Sequence, residues 1–252
     1  MTRFILSLSA LVCFAASAPA GLKVYYLRHA QSGANVEHEW EFMPKIFRPS
    51  YVGNADTFSP HGKKQAAAIP DKLAGYKFDF IAVSPTWRTR QTILGFLQKN
   101  HRRGEIWPEL EEFGIDAPRA HELLASNNAP KARQDLFSGS PVKLSDDEKN
   151  NFTLRENAKK RFNLRDDRDE RIADCVKSLN VAIDLIKQRG VRGDNSILLV
   201  GHATSGALLL HMLVKNEGEL PPIKNAHLWM AEQQPDGRFV LKVYNDDPVG
   251  MR

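Results

Sequence analysis

Continuous apolar stretches, each bounded by polar residues, recur along the chain and predict β-strands. The predicted strands are Leu22–Leu27, Phe78–Val83, Gly104–Trp107, Ile197–Val200, His227–Met230 and Phe239–Tyr244. Runs that are apolar at successive positions, rather than at every second one, are typical of parallel strands with both faces buried. The pattern therefore predicts a sheet that is covered on both sides.

Stretches with helical periodicity alternate with these strands. Ser59 and Pro60 have the character of an N-cap and a first helical position, and Pro70 is expected to end or kink the helix that follows. A long helix is predicted from near Arg165 to a stop near Gly190. Its apolar stripe is Ile172, Val176, Leu179, Ile183 and Ile186.

The alternation of strands and helices predicts a three-layer α/β fold, with a mostly parallel sheet and helices on both faces. Residues 117–165 differ from the rest, because they are polar and contain only short apolar clusters. They are interpreted as a helical and loop insertion over one face of the sheet. We expect a single domain over residues 21–252, with 117–165 as its lid.

Residues 1–20 have the pattern of a signal peptide. Arg3 provides a positive start, Phe4–Ala16 an apolar core, and Ala18-Pro19-Ala20 the small residues of a cleavage site. The apolar stretch is too short to span a bilayer comfortably. We therefore expect a secreted protein that begins at Gly21 and has no membrane partner.

Composition narrows the class of partner. Hydrophobic residues make up 42% and charged residues 26% of the 252 positions, so the core can be stable without a disulfide or a metal ion. The net charge of +5 and the pI near 9.2 favour anionic partners. Because the basic and acidic residues are interspersed, the surface is interpreted as generally basic, and no nucleic-acid partner is expected.

Cysteines and a glycosylation pattern add two smaller points. Cys13 lies in the signal peptide, so the mature chain holds only Cys175 and no internal disulfide can form. Cys175 falls in the long amphipathic helix and is expected to be a buried structural thiol. Asn151 begins an N-F-T acceptor triplet, whose use the sequence leaves open.

Two histidines, His29 and His202, directly follow two of the predicted strands. Ligands of open α/β sheets bind at the carboxyl ends of strands, so neighbouring strands would bring both rings to one crevice. Arg28 and Arg88 could clamp phosphate oxygens, with a protonated His202 as a further donor. A neutral His29 could attack phosphorus and form a phosphohistidine, stabilised by the clustered cations without a metal ion or other cofactor.

The leaving group of such a reaction needs a proton donor. A carboxylic acid can fill this role if burial raises its pKa, and the same group can then activate water. Glu109, Glu111 and Glu112 stand close together, and their spacing leaves open which of them acts. A basic group farther along could hold a second anion of the substrate, although a solvated helix face is the favoured interpretation. This group is Arg155, Lys159, Lys160 and Arg161.

The order of these motifs resembles that of the histidine phosphatase superfamily, in its phosphoglycerate mutase-like branch, and most of all its fungal phosphomutase-like proteins. Residues 28–35, R-H-A-Q-S-G-A-N, resemble the signature R-H-G/A-x-x-x-x-N. Residues 59–65, S-P-H-G-K-K-Q, resemble the helix start L-T-x-x-G-x-x-Q. Residues 84–92, S-P-T-W-R-T-R-Q-T, resemble S-x-x-x-R-x-x-Q-T. The triplets 110–112, L-E-E, and 201–203, G-H-A, resemble L-x-E and the late G/T/S-H-G/A.

The resemblance spans roughly residues 22–215 and implies a phosphoglycerate mutase-like fold. It implies a metal-independent phosphatase that acts on a small phosphorylated substrate. The implied nucleophile is His29 and the implied acid and base is Glu112. The implied phosphate-binding residues are Arg28, Asn35, Arg88 and His202.

The chain departs from the family pattern at two places. Ala30 stands where glycine is commoner, and residues 113–119 lack the expected small residues, which leaves the loop geometry and the leaving-group preference open. Two other functions also remain open, namely a phosphomutase on a small phosphorylated metabolite and a catalytically silent protein that binds phosphorylated ligands. The sequence does not define the substrate, the oligomeric state or the pH optimum.

Overall fold

A computed structural model describes residues 21–115, 120, 122, 130–155, 159–215 and 220–249. The predicted signal peptide, residues 1–20, and part of the predicted insertion 117–165 lie outside these residues. Secretion and cleavage before Gly21 therefore stay predictions.

An eight-stranded sheet forms the centre of the described fold, in the order β4-β3-β2-β5-β1-β6-β7-β8. In chain order the strands are β1 (Lys23–Arg28), β2 (Phe80–Val83), β3 (Gly104–Ile106), β4 (Phe152–Leu154), β5 (Ser196–Gly201), β6 (Leu228–Gln233), β7 (Phe239–Tyr244) and β8 (Asp247–Pro248). The first five in sheet order run parallel, and β6, β7 and β8 continue the sheet with antiparallel pairings. The predicted mostly parallel α/β sheet is confirmed.

Helices cover both faces of this sheet. They are α1 (Pro60–Lys72), α2 (Trp87–Lys99), α3 (Asp146–Lys149), α4 (Arg168–Val191) and α5 (Ala203–Val214). Short 3₁₀ helices occupy Gly33–Trp40, Lys45–Phe47 and Pro108–Leu110. Among the residues described, no helix combines the length and the hydropathy that a membrane crossing requires.

The alternation of side chains along the central strands divides the core into two layers. In β5, Ile197 and Leu199 pack with the buried residues of α4 and α5, whereas Leu198 and Val200 pack with those of α1 and α2. Successive side chains of a strand point to opposite faces, so a strand that is apolar at every position is buried on both sides. This packing explains the continuous apolar runs of the sequence.

The long helix α4 follows its predicted pattern closely. Asp167 caps its first turn by accepting a hydrogen bond from Glu170 N, and the predicted stripe is buried apart from the half-buried Val176. Cys175 is fully buried on the same face, and burial raises the pKa of its thiol well above the ordinary value. The thiol is therefore buried in the core, as predicted.

Helix α1 does not end at Pro70. Ser59 is its N-cap, as predicted, but the helix continues through Pro70 to Lys72. A proline this close to the C-terminus removes one hydrogen bond of the last turns and leaves the rest of the helix intact. Of the two effects expected at Pro70, an end or a kink of the helix, the end does not occur at this residue.

The predicted insertion also contributes to the sheet itself. Residues Phe152–Leu154 form β4, which pairs in parallel with β3 at the sheet edge. A strand of three residues shows no periodicity, so the sequence pattern indicated only short helices and loops in this region. The stretch between β1 and α1 also contains two 3₁₀ helices.

Candidate active site

The two histidines meet at the carboxyl ends of β1 and β5, which are hydrogen-bonded neighbours. The register pairs Arg28 with Gly201, so His29 and His202 leave the sheet side by side. Both rings are buried, and their centroids lie 5.1 Å apart at an interplanar angle of 64°. The structure thus brings together two residues from opposite ends of the sequence.

The ring of His29 is held in one orientation. Its Nδ1 lies 2.7 Å from the main-chain oxygen of Ala30, which can only accept, so Nδ1 carries the proton. Nε2 is then unprotonated, and Arg88 Nε approaches it at 3.3 Å. Burial, together with the charges of Arg88 and Arg28, lowers the pKa of His29 well below 6.5 despite the bond to Ala30. The imidazole is therefore neutral and presents a nitrogen lone pair.

Two motif residues whose role the sequence did not reveal fix the chain around His29. Ala30 N donates to Thr92 Oγ1 at 2.9 Å, and Thr92 Oγ1 donates to Arg88 O at 2.6 Å. Gln31 N donates to Gln65 Oε1 at 2.8 Å. Gln65 and Thr92 therefore hold the loop after β1. Their positions in the motifs at 59–65 and 84–92 were the feature of the sequence that could have indicated this role.

His202 is held from two sides. Tyr26 Oη accepts from His202 N at 2.7 Å and donates to His202 O at 3.1 Å. Its Nε2 lies 2.9 Å from Ser84 Oγ, and its buried Nδ1 has no hydrogen-bond partner among the described residues. Burial, followed by the charge of Arg88, lowers the pKa of His202 well below 6.5. The protonated form expected from the sequence thus requires a bound anion to stabilise it.

Two half-buried guanidinium groups flank the histidines. Arg28 donates from a terminal nitrogen to Ile223 O at 2.6 Å, while its buried Nε has no partner within the described part of the chain. Burial lowers the pKa of both Arg28 and Arg88, and the charge of Glu112 opposes this in each case. Both groups remain cations, because the ordinary value is far above neutral pH.

The three neighbouring glutamates have different surroundings. Glu109 is paired with Arg155. Glu111 accepts from Arg161 Nε at 2.6 Å and from Phe162 N at 3.1 Å. Among the described residues no arginine forms an ion pair with Glu112; its contacts include hydrogen bonds from the main-chain N–H groups of Thr204 and Phe113.

Glu112 interacts with both arginines that flank the histidines. Burial raises the pKa of the carboxyl above 4.5, against the opposing charges of Arg88 and Arg28 and the two main-chain bonds. Burial likewise raises the pKa of Glu109, but there the opposing charge belongs to Arg155. Glu112 therefore lies near the two pocket arginines and the first turn of α5, the helix that begins directly after His202.

The basic group at residues 155–161 does not form a solvated helix face. The described part of this segment is irregular apart from an isolated bridge between Pro141 and Lys160, and Arg155 and Arg161 pair with two buried glutamates. For the two arginines the favoured interpretation from the sequence is therefore wrong, whereas Lys159 and Lys160 are exposed to solvent. Arg161 is 41% exposed, and its charge helps to lower the pKa of Arg88 and His202.

Asn35 lies at the edge of the same cluster. Its Oδ1 accepts from Ser32 N at 3.0 Å and from Ser32 Oγ at 3.1 Å. A third donor is Asn225 Nδ2 at 3.3 Å, a residue that no sequence pattern pointed to. Asn35 thus orders the loop after β1, and its Nδ2 has no hydrogen-bond partner within the described ranges.

Comparisons with known proteins bear on the family and the fold of this chain. Residues 24–145 match the family model described as histidine phosphatase superfamily (branch 1). Among curated proteins none matches the chain. Closeness to the fungal phosphomutase-like proteins therefore stays a prediction.

Solved structures show the same fold at low sequence identity. The α-ribazole phosphatase from Shigella flexneri is 18% identical with a TM-score of 0.53, over 92% of this chain and 100% of that chain. A mycobacterial glucosyl-3-phosphoglycerate phosphatase in complex with VO3 is 19% identical with a TM-score of 0.52, over 89% of this chain and 99% of that chain. The protein described as mycobacterial hydrolase 1 has the same identity and TM-score, over 89% of this chain and 98% of that chain.

Proposed function

From the premise that this chain belongs to branch 1 of the histidine phosphatase superfamily and is a phosphatase, we propose that it hydrolyses phosphate monoesters through a phosphohistidine on His29. The reaction uses no metal ion and no other cofactor. Its substrate is a small phosphorylated molecule, as the names of the α-ribazole and glucosyl-3-phosphoglycerate phosphatases of the same fold suggest.

The observation that carries the proposal is the neutral, oriented ring of His29. With Nδ1–H bonded to Ala30 O, Nε2 carries the lone pair, which accepts from Arg88 Nε here and attacks phosphorus once Arg88 turns to the phosphate oxygens. The N–P bond forms as the ester P–O bond breaks, and the phosphoryl group moves to the imidazole. A protonated imidazole could not attack, so the lowered pKa of His29 is a requirement of this step.

The charges around the ring match those of a transferring phosphoryl group. Arg28 and Arg88 are forked donors for its oxygens, and the unpartnered Nδ1 of His202 can provide another once it is protonated. A phosphate dianion between these groups favours the charged form of His202 and reverses the effect of the two guanidinium groups on its pKa. The cluster is thus suited to stabilise the charge that spreads over the oxygens in the transition state.

Glu112 is the proposed acid and base. Its raised pKa favours the protonated carboxyl, which gives its proton to the departing alkoxide oxygen. In the second step the carboxylate takes a proton from water, the oxygen attacks phosphorus and the N–P bond breaks. Inorganic phosphate leaves, and His29 and Glu112 return to their starting states.

The test compares His29→Ala with His101→Ala, a substitution after the far end of α2. We expect His29→Ala to lower turnover of an aryl phosphate by about 10⁴-fold or more, as for loss of other nucleophiles, and to abolish the trapped phosphoenzyme. His101→Ala should retain both. Undiminished turnover in His29→Ala would contradict the proposal.

The same assay separates the two alternatives. A phosphomutase would form an isomer of the substrate in place of free phosphate. A catalytically silent protein would bind inorganic phosphate without forming a phosphoenzyme. We expect stoichiometric phosphate release from the wild-type protein.

A further inference from the structure

The turn that precedes β6, residues 223–226, wraps around the end of the nucleophile strand. Arg28 donates to Ile223 O at 2.6 Å, and Ala226 N donates to both Arg28 O and His29 O at 3.2 Å. Ala226 has a φ of 59°, a left-handed conformation that a residue with a Cβ adopts at some cost. Such strain persists only where the surroundings determine it, and here it directs Ala226 N and its neighbour Asn225 at the nucleophile.

Asn225 connects the two sides of the phosphate site. Its Nδ2 donates to the main-chain oxygen of His29 at 3.0 Å and to Asn35 Oδ1 at 3.3 Å. Its own main-chain oxygen accepts from Gln65 Nε2 at 3.2 Å and lies 2.9 Å from His227 Nδ1. The backbone of Asn225 is therefore fixed, and one amide group contacts both the nucleophile's peptide and the Asn35 side chain.

We propose that Asn225 is a positioning residue for phosphoryl transfer, which acts through His29 and Asn35. This inference rests on the proposed function of His29 as the nucleophile. Asn225 does not act on the substrate itself; it holds two groups that do.

The action on His29 follows from the peptide between His29 and Ala30. Its oxygen accepts from Asn225 Nδ2, and its nitrogen donates to Thr92 Oγ1. Because Nδ1 of the ring is bonded to Ala30 O, the direction of Nε2 depends on the orientation of this short stretch of backbone. Loss of the Asn225 amide would let the peptide tilt and move Nε2 away from the line of attack, where errors near 1 Å can cost about a hundredfold in rate.

The action on Asn35 concerns the direction of its amide. With Ser32 N and Asn225 Nδ2 both donating, the Asn35 oxygen must face them, and its NH₂ group faces the other way. A free NH₂ is a donor and suits a phosphate oxygen, whereas the oxygen would repel it. Asn225 therefore favours the amide orientation that can bind an anion.

The decisive variant is Asn225→Asp, which keeps size and shape but replaces the donor with an oxygen. That oxygen would face His29 O and Asn35 Oδ1, two acceptors. The matched control is Asn100→Asp, because Asn100 Nδ2 also donates to a main-chain oxygen, that of Phe96 at 2.8 Å, beyond the far end of α2. Asn225→Ala removes the donor without adding charge and serves if Asn225→Asp does not fold.

We expect Asn225→Asp to lower kcat/KM for an aryl phosphate by about 10- to 100-fold. Inhibition by inorganic phosphate should weaken by at least about threefold. Rates are normalised to the folded fraction measured by circular dichroism, so a purely structural effect would leave both ratios at the level of Asn100→Asp. Values for Asn225→Asp and Asn225→Ala within about twofold of that control would overturn the inference.

A double-mutant cycle with Asn35→Ala identifies the route. If Asn225 acts in part through Asn35, Asn225→Asp should weaken phosphate inhibition less in the Asn35→Ala background than in the wild type. Equal weakening in both backgrounds would overturn that half of the inference. The His29→Ala control keeps the two proposals apart: active His29→Ala contradicts the phosphohistidine, whereas inactive His29→Ala with unimpaired Asn225 variants contradicts only the role of Asn225.

Discussion

At the residue scale, the stretch from Glu109 to Glu112 shows how one sequence motif produces three different carboxylates. Glu109 and Glu111 form ion pairs with arginine side chains, whereas Glu112 interacts with the two arginines that flank the histidines. The ion pairs of the first two are partly buried, so each carboxylate is held in the role of a structural anchor. We therefore expect substitutions in this stretch to have distinct effects.

Replacing Glu112 by Gln should affect esters according to their leaving group. An alkyl alkoxide needs a proton to depart, so its kcat/KM should fall by about 10²- to 10⁴-fold, whereas a nitrophenolate leaves unaided and should be nearly unaffected. The measurement is steady-state hydrolysis of the two esters. Glu111→Gln is the control: it should lower stability, and its effect on kcat/KM should not depend on the leaving group. Equal losses of kcat/KM for both esters in Glu112→Gln would argue against a proton donor.

The pH profile of the alkyl ester gives a second measurement on the same variant. The reaction needs neutral His29, so the rate rises as the pH rises through a pKa that lies well below 6.5. It also needs protonated Glu112, so the rate falls as the pH rises through a pKa that lies above 4.5. We expect Glu112→Gln to lose the falling limb and to keep the rising one, and an unchanged profile would contradict this assignment.

The sequence predicts the charged members of the cluster but not their supports. His29, His202, Arg28 and Arg88 stand in motifs at strand ends, where their position follows from the order of the elements. Asn225 lies in a turn without periodicity, and its contacts with residues near the other end of the chain exist only after β6 pairs with β1. Its role depends on tertiary structure and leaves no local pattern.

At the element scale, the packing of β1 against α5 positions His202. Tyr26 bonds the main chain of His202 and stacks on Trp229, with the ring centroids 5.2 Å apart. Gly206, in the first turns of α5, leaves the space that the Tyr26 ring occupies. The N-terminus of α5, which begins directly after His202, also favours an anion nearby.

Two glycines inside helices should respond oppositely to alanine. Alanine is favoured over glycine in a helix by about 1 kcal/mol. At Gly95 a Cβ would lie 3.4 Å from Pro70 Cγ, an ordinary contact, so Gly95→Ala should raise the free energy of unfolding by about 0.5–1 kcal/mol. At Gly206 it would lie 2.3 Å from the Tyr26 ring, so Gly206→Ala should lower it by about 1–3 kcal/mol.

Urea unfolding of the two variants measures both effects. A gain of stability in Gly206→Ala would show that Tyr26 can move aside, and would remove the argument that this contact holds His202.

The long elements were predicted, whereas of the two three-residue strands β3 was predicted and β4 was not. The apolar stripe of α4 recurs at helical spacing over several turns, and β5 is a continuous apolar run, so both patterns are recognisable in the sequence. The three residues of β4 form no recognisable pattern, because pairing with β3, rather than any preference of Phe152–Leu154, makes them a strand. An end or a kink of α1 was predicted at Pro70, whereas the helix ends at Lys72, because the effect of a proline on a helix depends on how far it lies from the helix end.

At the scale of the whole molecule, pairs of arginines and buried carboxylates attach the segment after α2 and β3 to the rest of the fold. Arg155 and Arg161 bind Glu109 and Glu111, as described above. On α2, Arg90 Nε donates to Glu148 Oε1 at 2.8 Å, and both side chains are buried. This last pair attaches α3 to α2 at Arg90, two positions after Arg88 in the sequence. It therefore connects the segment with the helix that carries a residue of the phosphate site.

Glu148→Gln should destabilise the protein, because it leaves the buried Arg90 without its counter-charge. The expected loss is about 3 kcal/mol in the free energy of unfolding near neutral pH, measured by urea denaturation. Burial raises the pKa of Glu148, but hydrogen bonds from Arg90, Ser145 N and Gln91 outweigh it and hold the pKa below 4.5. The stability that Glu148 contributes is therefore present above pH 4.5 and is lost as the pH falls through the lower, folded-state pKa.

The difference between wild type and Glu148→Gln should accordingly shrink on acidification. Asp146→Asn, which removes an exposed pair with Lys149, is the control and should change little at any pH. A difference that stays constant down to low pH would show that the charge of Glu148 is not what stabilises the contact.

The place of β1 in the sheet has a consequence for how the protein is made. β1 is synthesised before both strands that flank it, β5 and β6, and β2, β3 and β4 lie between them in the chain. A nascent chain therefore keeps an apolar strand unpaired until β5 and β6 emerge, an exposure that favours chaperone binding and slows folding. A product that terminates before residue 202 lacks the second imidazole, so it cannot hold phosphate between the two rings.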